Sequence, residues 1–222
     1  MDERDEQVWT DVDRYIGEHL GVSDPALETA LSGSVDAGLP EIAVSPPQGK
    51  LLMLLAASVG ARRILEIGTL GGYSTIWLAR ALPSDGELIT CEYSSEHAHV
   101  ARQNVDHAGI GGLVDIRVGA ALDTLPTLNG PFDLTFVDAD KEHNADYFRW
   151  AVTLSRPGSL VVIDNTVRDG AIVDSSRVDP ATEGTRALYA AVRDEPRVSA
   201  TAIQTVGGKG YDGFLLARVL DV

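Results

Sequence analysis

The 222-residue chain has one cysteine, Cys91, so no intrachain disulfide can form. Basic residues are scarce: 18 Lys and Arg stand against 33 Asp and Glu, a formal net charge of −15. Nucleic-acid phosphates need clustered cations, so no nucleic-acid partner is expected. An anionic membrane surface is disfavoured for the same reason. Long apolar runs are also missing. The longest, Leu51 to Val59, is far too short to cross a bilayer. The opening Met-Asp-Glu-Arg-Asp-Glu lacks an apolar segment, so no signal peptide is expected. Cys91 in Leu88-Ile-Thr-Cys91-Glu92 reads as a buried strand residue, compatible with a reducing, cytoplasmic location. No repeat, low-complexity segment or linker divides the sequence.

What remains is ordinary globular composition, 44% hydrophobic, enough for a substantial core. The length fits one domain over residues 1–222, with a helical region at 1–45 and a core at 46–222. Val8, Trp9, Val12, Tyr15, Ile16 and Leu20 recur at helical spacing, which predicts an amphipathic helix over 6–20. Ser23-Asp24-Pro25 and Ser45-Pro46-Pro47 read as caps followed by helix-opening prolines, the second helix running to about Gly60. Strands at 63–67, 87–92, 114–118, 132–137 and 159–164 alternate with helices at 72–82, 95–108, 143–155 and 182–193. That alternation predicts an α/β fold with a mostly parallel sheet. Val198 to Val206 and Tyr211 to Val219, joined by Gly207-Gly-Lys-Gly, read as a terminal β-hairpin.

Two expected strands end abruptly in polar residues: Phe132-Asp-Leu-Thr-Phe-Val-Asp138-Ala-Asp140-Lys141 and Val161-Val-Ile-Asp164-Asn165. Ligands of open α/β sheets bind at the carboxyl ends of the strands, so these groups should converge on one crevice. Two carboxylates and an amide oxygen are hard donors suited to Mg²⁺ or Ca²⁺. A lysine in the same place offers a base or an anion clamp.

Ile64-Leu-Glu66-Ile-Gly68-Thr69-Leu-Gly71-Gly72-Tyr-Ser74 reads as strand, glycine-rich turn and helix start. Its glycines do not fit the dinucleotide pattern G-x-G-x-x-G. Glu66 is poorly placed for a pyrophosphate and would suit a cationic ligand. Glu92 ends the next strand, where an acid can accept hydrogen bonds from ribose hydroxyls. A nucleoside without phosphates and with a positive charge fits the pair. S-adenosylmethionine, a sulfonium, meets both conditions.

These motifs, with Val44-Ser45-Pro46-Pro47-Gln48-Gly49, Asn144, Tyr147 and Asp164-Asn165-Thr-Val-Arg-Asp-Gly170, resemble the cation-dependent O-methyltransferases over roughly residues 40–222. That group includes caffeoyl-CoA and catechol O-methyltransferases and bacterial relatives. The resemblance implies a Rossmann-like methyltransferase fold with a seven-stranded sheet. It implies Asp138, Asp164 and Asn165 as ligands of Mg²⁺, or of another dication such as Mn²⁺ or Ca²⁺. It implies Val44, Glu66, Gly68, Thr69, Ser74, Glu92, Ala121, Asp138 and Asp140 around S-adenosylmethionine. Lys141 stands where catechol-type relatives place their general base, beside Asp138. Arg168 and Asp169 belong to the loop on the substrate side. A homodimer is implied as well, and the helix at 6–20 would then supply apolar surface.

The activity to expect is methylation of one hydroxyl of a vicinal dihydroxy aromatic. A small catechol or phenolic acceptor is favoured over a CoA thioester, because residues 1–45 hold only Arg4 and Arg14 as basic residues. Two readings compete: a nicotinamide-dependent oxidoreductase on the same fold, and a non-catalytic S-adenosylmethionine-binding module. His143 reads as a solvated residue at a helix start. His19, His97, His99 and His107 read as surface residues, and Trp9, Trp77 and Trp150 as core or interface anchors.

Overall fold

Five parallel strands form most of one mixed sheet in the computed structural model, which describes residues 3–221. They are β1 (Arg63–Ile67), β2 (Glu87–Glu92), β3 (Val114–Val118), β4 (Phe132–Val137) and β5 (Ser155–Asp164). The antiparallel pair β6 (Val198–Gly207) and β7 (Gly210–Val219) completes it, in the order β3-β2-β1-β4-β5-β7-β6. The expected terminal hairpin is therefore present, and it enters the sheet through β7 against β5. The expected parallel strands are all present too. β5 starts earlier than the expected 159, at Ser155. A register shift between Phe132 and Leu134 lets Ser155 pair with Phe132 and Leu160 pair with Leu134. The Arg156-Pro157-Gly158 segment, which looks like a turn in the sequence, is absorbed as that irregularity.

Three helices precede the sheet: α1 (Glu3–Leu20), α2 (Pro25–Asp36) and α3 (Pro46–Ser58). Asp24 caps α2 by accepting from the amides of Ala26 and Leu27, and Ser45 caps α3 through Gln48 N. Between the strands come α4 (Tyr73–Ala79), α5 (Ser95–His107), the short α6 (Ala121–Thr124), α7 (Asn144–Thr153) and α8 (Pro180–Arg193).

Side chains alternate across a strand, so each strand feeds two cores. On one face Ile64, Leu88, Leu134, Phe136 and Val162 pack with residues of α2, α3 and α4, including Trp77. On the other, Leu65, Ile67, Val137, Val161 and Ile163 pack with Tyr147 and Phe148 of α7 and Leu188 of α8. Phe132, Phe136 and Phe148 are fully buried, each contributing about 1.5–3 kcal/mol of transfer free energy. α1 differs from the rest. Val8, Val12, Tyr15 and Leu20 remain half or more exposed, so its apolar stripe is not absorbed by the chain's own core. Among the described residues, no helix is long and apolar enough to cross a membrane.

Candidate active site

The strand order reverses at β1 and β4, and a cavity opens at their carboxyl ends. Chain crossovers diverge at such a point, leaving a crevice. The edges are closed by backbone bonds: Gly68 N donates to Cys91 O at 3.0 Å, and Asp138 N to Ile67 O at 2.8 Å. Gly68 has φ of +98°, and a Cβ there would collide with the carbonyl of Asp138. Only glycine lets the two strand ends come this close. The cavity measures about 1340 Å³, more than a single small ligand needs, so two molecules can share it.

One half is built on the turn after β1 and the end of β2. Glu92 is nearly buried and lines the wall. Its Oε2 accepts from Thr69 N at 3.2 Å and Leu70 N at 2.8 Å, and its Oε1 accepts from Ser94 N at 2.9 Å. Three of roughly four acceptor positions are thereby used, so the carboxylate is rigidly aimed and has one position left for a ligand hydroxyl. His97 Nδ1 lies 3.4 Å from Oε1 and also lines the cavity, which corrects the expectation of a plain surface histidine. It falls one turn into α5, after the Ser94 cap, so the bend at β2's end folds it back over Glu92.

Gly68, Thr69, Ser74, Val44, Ala121 and Asp140 all line the same cavity, as the sequence motifs lead one to expect. Glu66 does not. It is fully buried on the Ile64 face of β1, accepting from Ser74 Oγ at 2.7 Å and Thr75 Oγ1 at 2.5 Å. Its reach to a ligand is through Ser74, because the two-residue strand period turns it toward α4. Burial raises its carboxyl to a pKa of about 7, against the hydroxyl bonds that lower it.

Asp140 accepts from Tyr147 Oη at 2.6 Å and is hydrogen-bonded to His143 Nδ1. Burial works to raise its pKa, but these two partners hold it below the usual carboxylate value. His143 in turn is raised by the Asp140 bond. It is exposed at the helix start, as expected, and it also borders the cavity.

The other half holds the oxygen donors. Asp138 follows β4, Asp164 ends β5, and Asn165 comes next with φ of +55°. Asparagine tolerates this left-handed conformation better than most residues. Asn165 N donates to Asp164 Oδ1 at 2.8 Å. Burial, then repulsion from Asp138, pushes the Asp164 pKa up; Lys141 and hydrogen bonds from Asn165 N and Gln48 oppose this. Lys141 Nζ donates to Asp138 Oδ1 at 2.7 Å, with its side chain nine-tenths buried.

Among the described residues no three His, Cys, Asp or Glu side chains form a metal-sized cluster, so a dication held here would draw on the Asn165 amide as well. The donor chemistry fits a hard dication. Buried Asp164 and the partly exposed Asp138 repel each other, and Lys141 is the cation paired with them. Asp164 itself lies just below the cavity wall.

Arg168 lines the cavity, whereas Asp169 is exposed and outside its wall. Arg168, Asp169 and Gly170 all have positive φ, a run that turns the chain sharply and carries Asp169 away. Sequence reasoning also missed Gln48, Glu41 and Lys209. Gln48 lies within a singled-out motif, two residues after a helix-opening proline, but nothing local points it at Asp164.

A sequence profile for a family described as O-methyltransferase matches residues 22–220. The chain belongs to the O-methyltransferase family. It is 51% identical to the catechol O-methyltransferase of Niastella koreensis, over 96% of this chain and 98% of that protein. It is 53% identical to the catechol O-methyltransferase of Mycobacterium tuberculosis, over 94% and 95%. Its fold superposes on the O-methyltransferase of Bacillus cereus, solved with SAH, at a TM-score of 0.94 with 50% identity, covering 96% and 99%. The resemblance carried by the strand-end motifs is thus borne out, and so is the Rossmann-like methyltransferase fold. The chain is an enzyme of this family.

Proposed function

We propose that the chain transfers the methyl group of S-adenosylmethionine to one hydroxyl of a catechol-like acceptor, with the help of a divalent cation. The observation that carries this reading is the shared cavity. Its Glu92 end has the features of a nucleoside site, and its Asp138–Asp164–Asn165 end offers hard oxygen donors. The relatives named catechol O-methyltransferase and the SAH-bound neighbour support the same assignment.

A phenol has a pKa of about 10, so the nucleophilic phenolate is roughly 4 kcal/mol uphill at neutral pH. A dication held by Asp138, Asp164 and Asn165 would supply Lewis-acid stabilisation of that oxyanion. Lys141 holds its nitrogen at the acceptor end, and in its neutral amine form it takes the hydroxyl proton and becomes the ammonium. Glu92, with Thr69 and Ser74, orients the sulfonium donor. Residues of α2 and the segment after it, among them Leu31, Val35 and Ile42, cover the cavity, so the helical region at 1–45 shapes acceptor choice within the same domain. Exposed Val8, Val12 and Tyr15 on α1, with Ile203 and Val206 on β6, supply the face for a homodimer. Sedimentation showing a concentration-independent monomer would remove the dimer from this reading. A cytoplasmic location accords with the unpaired, buried Cys91.

The test is a panel of catechols with isotopically labelled S-adenosylmethionine, with Mg²⁺ or with exhaustive chelation. Mass spectrometry should find singly methylated products only with the dication. Equal turnover after chelation would rule out the metal, and no labelled product from any acceptor would rule out the class.

A further inference from the structure

The acceptor half of the cavity holds two cations that the methyl-transfer scheme does not use. Arg168 enters from the loop after β5, and Lys209 from the tip of the β6–β7 hairpin. Neither forms an ion pair with any described acidic residue. Lys209 Nζ finds only the backbone carbonyl of Glu41, at 3.3 Å. Arg168 Nε is buried without a partner. In a chain of net charge −15, a buried arginine nitrogen without a partner, with an exposed lysine lining the same cavity, calls for an explanation. Buried polar groups ordinarily have partners, and leaving one unmade costs about 1–3 kcal/mol.

Both cations are held in place by specific construction. The strained backbone at Arg168, φ +58°, is fixed by Asp212, whose Oδ1 accepts from Val167 N at 3.0 Å and Arg168 N at 2.8 Å. Thr166 N donates to Gly213 O at 2.9 Å, which ties this loop to β7. The hairpin tip is anchored from the other side, where Gly208 N donates to Asp13 Oδ2 of α1 at 2.8 Å. The loop and the hairpin are therefore one unit, and the cations they present have a fixed relation. A strained non-glycine backbone persists only where its surroundings over-determine it, and such sites concentrate at ligand clamps. Partial burial also pulls the Lys209 pKa down, against the nearby acids Asp138, Glu41 and Asp164.

We propose that Arg168 and Lys209 select acceptors bearing a carboxylate, clamping it while the vicinal hydroxyls face the donor oxygens. The proposal rests on the methyl-transfer reading above and names the acceptor's chemical class. The guanidinium presents paired N–H donors that match a carboxylate, and the ammonium adds a point charge from the hairpin tip. A polyphosphate is a poorer fit. Residues from the first 45 contribute apolar side chains, two serines and the acid Glu41 to the lining, with no cation. A catecholamine would place its ammonium against two fixed like charges.

The test uses three acceptors of one shape: 3,4-dihydroxybenzoate, its methyl ester and 3,4-dihydroxybenzylamine, with S-adenosylmethionine and Mg²⁺. The readout is the ratio of kcat/KM for acid over ester, with thermal unfolding of each variant alongside. The wild-type protein should prefer the acid by roughly tenfold or more, the range for a hydrogen bond to a charged group. Lys209→Met and Arg168→Met should each lower that ratio by about fivefold or more, and Lys209→Glu should shift preference toward the amine. Comparing ratios between variants cancels differences in ring acidity. A general loss of structure would lower both kcat/KM values together and leave the ratio unmoved. An acid-to-ester ratio near one in the wild type, a preference for the amine, or a ratio unchanged in both Met variants would each overturn the proposal. If no acceptor is methylated, the methyl-transfer reading itself fails. Calorimetry with S-adenosylhomocysteine and Mg²⁺ then decides separately: tighter binding of acid than ester upholds the anion clamp, and equal binding refutes it.

Discussion

The two ends of the parallel sheet carry acids in opposite circumstances. At the amino ends of the strands every acid is answered. Asp133 accepts from Arg62 N at 2.8 Å, Arg63 N at 3.0 Å and the Arg156 guanidinium at 2.6 Å, while Arg63 pairs with Glu87 and Arg62 with Asp85. Burial tends to raise the Asp133 pKa, but these bonds prevail and lower it. At the carboxyl ends, Glu66 and Asp164 are buried with too little compensation, and both are raised. The same residue type stabilises the fold at one end and works against it at the other. Unmet charge at the ligand end is a cost that a bound cation can relieve.

The sharpest way to break this comparison is to remove Lys141, the cation paired with Asp138. Lys141→Met keeps most of the packing stem and loses the amine. Turnover should fall by about 10²–10⁴-fold, the usual range for a general base. Raising the pH should restore part of it, since hydroxide replaces the lost base. Affinity for S-adenosylmethionine should change little. A pH–rate profile matching wild type at neutral pH would make the lysine a purely structural partner of Asp138.

At the opposite end the same kind of deletion should act on stability alone. Asp133→Ala leaves two backbone amides and Arg156 without their acceptor, and about 2–3 kcal/mol of stability should go. The acid's folded pKa is depressed, so its contribution is full above the unfolded value of 3.8 and is lost as pH falls below it. Urea unfolding at pH 7 and pH 3 checks both points: wild type and variant should differ at the first and converge toward the second. Loss of turnover without loss of stability would place Asp133 in the chemistry and undo the contrast.

A smaller effect is expected at Glu92, which belongs to the ligand end but is bonded like the other. Three backbone amides already occupy its carboxylate. Glu92→Ala should weaken S-adenosylmethionine by about 1.5–2 kcal/mol, the low side of the range for bonds to a charged group. It should also lower the melting temperature of the free protein. Unchanged calorimetric affinity would remove Glu92 from the nucleoside site.

How much of this was readable in the sequence follows from how local each signal is. Strand-end motifs are local, so Asp138, Asp140, Lys141 and Asn165 could be gathered into one crevice from hydrophobic runs that stop in acids. The hairpin was legible from two apolar runs around Gly207-Gly-Lys-Gly. The facing of Glu66 was available but overlooked: it shares strand parity with Ile64, so it points to α4 and not along the strand into the crevice. Lys209 and Gln48 were not legible. Each reaches the site from an element far away in the chain, and only the crossing of the hairpin over the β5 loop, or of α3 under it, brings them there. Asp169 looked equivalent to Arg168 because they are adjacent. Three successive left-handed residues separate their directions, a conformation that no composition rule would assign to Arg-Asp.

The finest test of the comparison concerns Asp164. If its charge is a cost in the metal-free protein, Asp164→Asn should stabilise that protein, a sign opposite to Asp133→Ala. The folded pKa of Asp164 is raised above the ordinary 3.8, so its favourable state is the protonated one. Its contribution is intact below about pH 4 and is lost as pH rises through the raised value. The asparagine does not titrate. The difference between variant and wild type should therefore be near zero at pH 4 and grow to about 1 kcal/mol in the variant's favour above neutrality. Melting curves in EDTA across that range measure it. Adding Mg²⁺ should then reverse the order, because the dication binds two carboxylates more tightly than one and stabilises the folded state by mass action. A variant less stable than wild type in EDTA at every pH would show that Asp164 is held by bonds that outweigh its repulsion, making the two ends of the sheet alike. A reversal by Mg²⁺ on that background would still assign the metal to Asp164 but would take away the electrostatic reason for its affinity.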